Sequence, residues 1–549
     1  MKGLADKDNS KFYIRHPGLF LFAVFIICVL FAKGDSSLMT PFDTGVVMAS
    51  LAASLAYFTG FKWYMILIIG AVSGVTCGAA DIFTGSSDPI LTAGGAILIT
   101  AAAIYAGVKK RGDHDLAAVL MLTAGFWLQF CYAQYTPCWL RQNDVGFFYK
   151  EVFDPHHAGY ICYIRYYGWI PYADVREMDQ WYHPPLHHLI CAYFLRFYSL
   201  VFPKYEENYD ILQMLTLMYS FLSVVYTRKV IRFFDLSERT DRLLTLLIAV
   251  FPIFIINAGE LNNDILSILL FIMSVYFIFR WYTEDYSIGY LIGSAFAIGL
   301  GMMAKLSVWM AAVPVGTILL VSLIRSKGKD LRLWGQYGLF ALISFPLGLW
   351  FPVRNYIGWG VPPSYIPVPF YTESLERYSV LQMLFDVFDN SGYYNIPYFA
   401  LWSAVFDDDD YRANMFYGLL SFAVFAVFAL IVILAFAGII YMTVKAVKSR
   451  KAEWKMISLI LLLIAELVSY TVFCFKFPYL CTMNFRYIVP VTLPAALGLG
   501  VLYDRATEED KLKLLRRGID ILAVFFAVAS AVFYLTLWWY DIWLEAQIV

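Results

Sequence analysis

The sequence predicts an all-α polytopic membrane protein, and three observations carry that reading. Of its 549 residues, 60% are hydrophobic, against roughly 45–50% in a soluble domain. Charged residues make up 15%, where about 25% is usual. Apolar runs of about 17 to 25 residues, each long enough to cross a hydrocarbon core of about 30 Å, recur between positions 18 and 540. A soluble multidomain enzyme is excluded. The formal net charge of −1 also excludes a general affinity for nucleic acid, which needs a basic surface.

Lys and Arg in short loops orient the chain, because such clusters stay cytoplasmic. They stand at Lys109-Lys110-Arg111, at Arg228 to Arg242, at Arg325 to Arg332, at Lys445 to Lys455 with Arg450 and Lys451 between, and at Lys511 to Arg517. Alternation between them places spans near 18–32, 44–59, 62–80, 90–108, 116–134, 208–227, 243–258, 265–281, 288–304, 306–324, 333–352, 414–443, 456–474, 487–503 and 519–540, about fifteen in all. No small-residue cleavage site follows the first run, which reads as an uncleaved span. The N-terminus is then inside and the C-terminus outside.

The stretch 184–202 is apolar enough to span, yet it carries Arg196, and crossing would put Arg228 and Lys229 on the wrong side. With Tyr193, Phe194, Phe197 and Tyr198, it is expected to lie as an interfacial helix on the outer surface. Two long external segments result, 134–210 and 352–412, and long loops on one face are where chemistry is expected. Residues 1–113, rich in Gly and Ala, read as a four-helix extension, and 114–549, rich in Phe, Tyr and Trp, as the core. Matching Gly/Pro-broken spans, the mark of inverted-repeat transporters, are not evident. The eight cysteines lack CxxC or Cys/His ligand spacing. Cys28, Cys77, Cys131 and Cys474 fall inside apolar runs as buried thiols, while Cys138, Cys162 and Cys481 stand where a disulfide on an oxidising face is open.

The first external segment holds Arg141-Gln-Asn-Asp144-Val-Gly146, Asp154-Pro-His156-His157-Ala-Gly-Tyr160 and Trp181-Tyr-His183-Pro-Pro-Leu-His187-His188. Five of the 7 histidines fall within 156–188, and titratable groups crowded beside a membrane face mark a site. An Asp just past the end of a span, then a Gly/Tyr-rich interfacial stretch and a His-Pro-Pro-Leu opening a helix, resembles the first external loop of the GT-C class of integral membrane glycosyltransferases. The nearest resemblance is to bacterial relatives of the protein O-mannosyltransferases and of the lipid A aminoarabinose transferase. Further motifs agree in order: Asn262-Asn-Asp264-Ile-Leu-Ser, Gly301-Met-Met-Ala-Lys305, Trp350-Phe-Pro-Val-Arg354-Asn-Tyr and Met483-Asn-Phe-Arg486-Tyr-Ile-Val-Pro490. The resemblance covers roughly 115–503. It departs from the eukaryotic mannosyltransferases at Val145, where they carry a second acid after the Asp.

The resemblance implies a GT-C fold and transfer of a sugar from a polyprenyl-phosphate donor to an acceptor at the outer face of a plasma membrane. A lipid phosphate is already a good leaving group, so the chemistry needs a base for the acceptor proton and cations for the phosphate. Asp144 fits the base, and Asp264, by family position, a second acid. Lys305, Arg354 and Arg486 are the cations expected nearest the outer interface, with His183 as a further phosphate or sugar contact. Arg141, His157, Tyr160, Glu260 and Asn263 complete the expected substrate contacts. The acceptor, whether protein, polymer or glycolipid, stays open; no cofactor is certain, and a divalent metal stays open without support from the residues.

Blander readings stand beside these. Asp144 is otherwise a solvated loop acid, Lys305 and Arg486 snorkelling side chains, and His156, His157, His187 and His188 interfacial structure. His183 and His187 have the spacing of a helical metal pair, but proline between them and no carboxylate partner argue against a divalent site. Asp407 to Asp410 reads as a solvated tip, and Trp538-Trp-Tyr-Asp541 as an aromatic belt. The competing functions are a transporter or flippase of lipid-linked saccharides and a polysaccharide polymerase or ligase. A transporter should hold its charges at the midplane of broken helices, whereas these collect at the outer interface. The absence of an Asn-x-Ser/Thr acceptor in the external loops favours a bacterial membrane.

Overall fold

A computed structural model describes residues 17–109, 114–149, 154–178, 180–367, 374–375, 378–386, 394–449 and 453–548. Lys110, Arg111, Arg450 and Lys451, used to orient the chain, lie outside the described residues. The described residues are helical and irregular, with one isolated antiparallel bridge between Ser374 and Tyr479. Among the described residues, twelve helices are long and apolar enough to cross a membrane. Three segments read as spans are shorter helices or are broken by turns. Pro17–Ala32 and Ile288–Ala304 are helical over the expected residues but run fewer than 18 residues, and Thr492–Glu508 follows a string of 3-10 turns from Leu480 to Val491. Proline at position 490 removes a helical donor there.

In the N-terminal part, Pro41–Phe58 and Trp63–Thr84 pack at backbone distance. A Cβ on Gly74 would stand 2.7 Å from the Gly45 carbonyl oxygen, so only glycine admits this approach. Trp127 Nε1 donates to Leu91 O at 2.9 Å and Asn208 Nδ2 to Lys33 O at 2.7 Å, tying these helices to the rest.

Leu186–Val201 is a 16-residue helix with two faces. His187, His188, Cys191, Ala192, Leu195 and Tyr198 recur at three- and four-residue spacing and are buried, while Phe197 and Leu200 are exposed. Arg196 Nε donates to Arg165 O at 2.6 Å, so its charge is held by the neighbouring helix His157–Tyr167. Cys138 and Cys162 are free and buried, which removes the disulfide left open between those two.

Candidate functional site

Four charged side chains arrive at one place from four separate stretches of chain. Asp264 opens the helix Asp264–Thr283, its amide donating to Asn262 Oδ1 at 2.9 Å. Lys305 ends Ile288–Ala304 in an extended conformation and starts the 3-10 turn Leu306–Ala311. Arg486 sits in the turn Phe485–Tyr487, its amide donating to Asn484 Oδ1 at 2.9 Å. Asp144 follows the span ending at Tyr135 and adopts a left-handed backbone, φ 58°, which Asp tolerates better than most residues. The chain is pinned there, because Ala158 N donates to Val145 O at 2.7 Å. A Cβ on Gly146 (φ 68°) would stand 2.3 Å from Asp154 Oδ1.

Arg486 is the hub. Its Nη2 donates to Asp144 Oδ2 at 2.8 Å and to the Tyr487 hydroxyl at 3.1 Å, and its Nη1 stands 3.8 Å from Asp264 Oδ2. Lys305 Nζ is ion-paired with Asp264 and lies 4.7 Å from the Tyr487 ring centre. The Arg486 and Asp264 side chains are only 4% and 3% exposed, while Asp144 is 41% exposed and marks the open side. Burial pulls the Lys305 ammonium below its ordinary range, and Asp264 opposes that pull. Among the described residues Arg486 Nε is buried with no hydrogen-bond partner, a spare cationic donor where one more anionic oxygen would be satisfied.

Beside this quartet lies an amide and carboxylate network that the sequence reading missed. Asn143 Nδ2 donates to Glu260 Oε1 at 2.8 Å and to Asp407 Oδ2 at 2.7 Å, and Asn484 Nδ2 donates to Asp407 Oδ1 at 2.6 Å. The reading of Asp407 to Asp410 as a solvated tip is corrected at Asp407, which is buried, with φ 56°. Burial first, then the Asp407 charge, pushes the Glu260 carboxyl well above its ordinary range.

Other residues expected at the site have different employments. Arg141 is ion-paired with Asp541 and lies 3.2 Å from Asp409, which holds its charge inside the protein. Asp541 is therefore more than part of an aromatic belt. His157 and Tyr160 are enclosed, 2% and 1% exposed. His157 Nδ1 lies 2.8 Å from His188 Nε2, and its ring stacks on His183 with centroids 5.3 Å apart. Burial lowers the basicity of His157, His183 and His188, and takes His187 down to about 4. His187 Nε2 faces Leu261 O at 3.2 Å, away from any pairing with His183. Arg354 donates to Pro171 O and lies 4.9 Å from the Trp359 ring centre, apart from the quartet. Asn263 Nδ2 donates to Ala304 O at 2.7 Å, fixing the approach of Lys305 to Asp264. Among the described residues, no three His, Cys, Asp or Glu side chains are placed to hold a metal ion.

A cleft opens beside the quartet, lined by Asp264, Lys305, Arg486 and Tyr487, by Ser267 and Ser307, by Ile268, Phe271, Val308 and Pro490, and by Glu466. The site is thus a cationic rim with a mixed hydroxyl and aromatic wall.

Residues 182–350 match a family model described as dolichyl-phosphate-mannose-protein mannosyltransferase, so the resemblance to membrane glycosyltransferases is shown over that stretch. It contains His183, Glu260, Asn263, Asp264 and Lys305, while Asp144, Arg354 and Arg486 lie outside it. Apo ArnT from Cupriavidus metallidurans is similar in structure at 14% identity and a TM-score of 0.46, covering 76% of each chain. An apo oligosaccharyltransferase from Archaeoglobus fulgidus is similar at 12% identity and a TM-score of 0.46, covering 76% of this chain and 55% of its own. No curated protein sequence matches the chain.

Proposed function

We propose that the protein is a multi-pass plasma-membrane enzyme. In this reading it transfers a sugar from a polyprenyl-phosphate donor to an acceptor at the extracytoplasmic face, with Asp144 as general base. The observation that carries it is the buried grouping of Lys305 and Arg486 with Asp264, with Asp144 joined to Arg486 on its open side. The mannosyltransferase match, which includes Asp264 and Lys305, supports the same reading.

The donor phosphate takes hydrogen bonds from Lys305 and Arg486, competing with the carboxylates that hold them in the free protein. As the phosphate occupies Arg486, Asp144 loses its strongest partner and is left facing the open side, where the acceptor hydroxyl arrives. The acceptor oxygen bonds to the anomeric carbon and the bond from that carbon to the phosphate oxygen breaks. The electron pair stays on the lipid phosphate, and the acceptor proton passes to Asp144. Charge developing on the phosphate is met by cations already in place, which is electrostatic stabilisation without reorganisation. Membrane lipids surround the carrier's tail throughout.

The test is to incubate the purified protein with polyprenyl phosphate carrying a radiolabelled sugar, together with envelope extracts as acceptor source. Release of free polyprenyl phosphate with label in a new product is the expected outcome. Label that stays on its carrier and only changes sides of a vesicle would replace this reading with transport.

A further inference from the structure

Glu466 stands out among the cleft residues because neither the motifs nor the proposed chemistry uses it. It lies in the run Leu-Ile-Ala-Glu466-Leu-Val of the helix Trp454–Lys476, about 18 Å from the first residue and about 15 Å from the last at 1.5 Å per residue. A carboxyl at that depth is costly unless something satisfies it. The residue is 5% exposed, lines the cleft, and has no hydrogen-bond or ion-pair partner among the described residues.

The rest of the cleft says what a partner there would be. Along the helix Asp264–Thr283, the wall descends from Asp264 past Ser267 to Phe271, about 10 Å at 1.5 Å per residue. The Ser267 hydroxyl already donates to Asp264 O at 2.7 Å, leaving its lone pairs to accept. Ser307 is exposed, so the cleft opens at that turn. Hydroxyls and a carboxyl, interspersed with the rings of Phe271 and Tyr487, complement a small ring bearing several hydroxyls. A hydrocarbon tail would leave the carboxyl unsatisfied.

Resting on the transferase reading above, we propose that this cleft receives the sugar of the lipid-phosphate donor. In it, Glu466 is the residue that selects the sugar, hydrogen-bonding a ring hydroxyl while Lys305 and Arg486 hold the phosphate.

The experiment compares binding of bare undecaprenyl phosphate with that of undecaprenyl phosphate carrying mannose, glucose, galactose or arabinose. The full-length protein is used as wild type, Glu466→Gln and Glu466→Leu, with thermal unfolding recorded for each. In the wild type, one or more of the glycosylated carriers should bind more tightly than the bare carrier. Glu466→Leu should remove about tenfold or more of that sugar-dependent increment while bare carrier binds as before, and Glu466→Gln should retain part of it. Equal weakening of bare and glycosylated carriers by Glu466→Leu, or an increment untouched in both variants, overturns the assignment. A wild type that never prefers a glycosylated carrier overturns the transferase reading itself, and the Glu466 assignment with it.

Discussion

Asp144 and Arg486, 342 positions apart in the chain, meet at 2.8 Å between Oδ2 and Nη2. The contact joins the first external segment to the turn that opens the helix Thr492–Glu508. It also means that the acid assigned as base is engaged by a cation until a competing anion arrives.

Replacing Asp144 with Asn keeps its shape and one hydrogen bond but removes the proton acceptor. Turnover should fall by about 10²- to 10⁴-fold while donor affinity survives. Single-turnover transfer at saturating donor measures this. Transfer near the wild-type rate would hand the proton to Asp264.

Lys305→Met and Arg486→Met should each weaken binding of the lipid-phosphate donor by on the order of 1.5–3 kcal/mol, the scale of a charge-assisted contact in a partly desolvated site. Arg354→Met should change it far less, because Pro171 O and the Trp359 ring already hold that guanidinium. Titrations of donor against each folded variant rank the three. Equal losses would bring Arg354 into the phosphate site.

Arg141→Met should cost about 3 kcal/mol of stability, because removing one partner of a buried pair strands the other. Thermal unfolding in detergent reads the loss. The double variant Arg141→Met with Asp541→Leu should recover much of it; no recovery would mean that Arg141 is held by Asp409 alone.

The buried histidines set an acid limit. Their folded basicity lies below the ordinary value near 6.5, so below that pH the unfolded chain binds protons that the folded one does not. Stability is then full above pH about 6.5 and falls as pH drops, by about 1 kcal/mol per histidine per pH unit. Unfolding midpoints between pH 7.5 and 5 in wild type and His157→Phe test this. The variant should show the shallower slope, and parallel curves would assign the acid sensitivity elsewhere.

Labelling of single cysteines in intact cells tests the orientation. Tyr172→Cys should react from outside, whereas Gly328→Cys and Glu508→Cys should not. Outside reaction at Gly328 would invert the chain and move the quartet to the cytoplasmic face.

Asp264, Lys305 and Arg486 were legible because each stands at the edge of an apolar run, where a charge is conspicuous, and Asp144 because it follows such an edge closely. The spans were legible for the same reason, since length and apolarity decide them locally. The partners were not. Asp541 lies 400 positions from Arg141, and nothing near either residue announces the pair. Asp407 looked solvated because its neighbours are acidic; its burial depends on Asn143 and Asn484 arriving from distant stretches.

The final helix, Lys513–Ile548, does more than cross the bilayer. Tyr135 donates to its Tyr534 carbonyl, Tyr417 donates to its Thr536 carbonyl at 2.6 Å, and Asp541 near its C-terminal end takes the Arg141 ion pair. The helix is a mooring post for the segment that carries Asp144. Fraying its last turns would leave the protein inserted and lipid-bound with its base adrift, a defect that activity would report and membrane fractionation would miss.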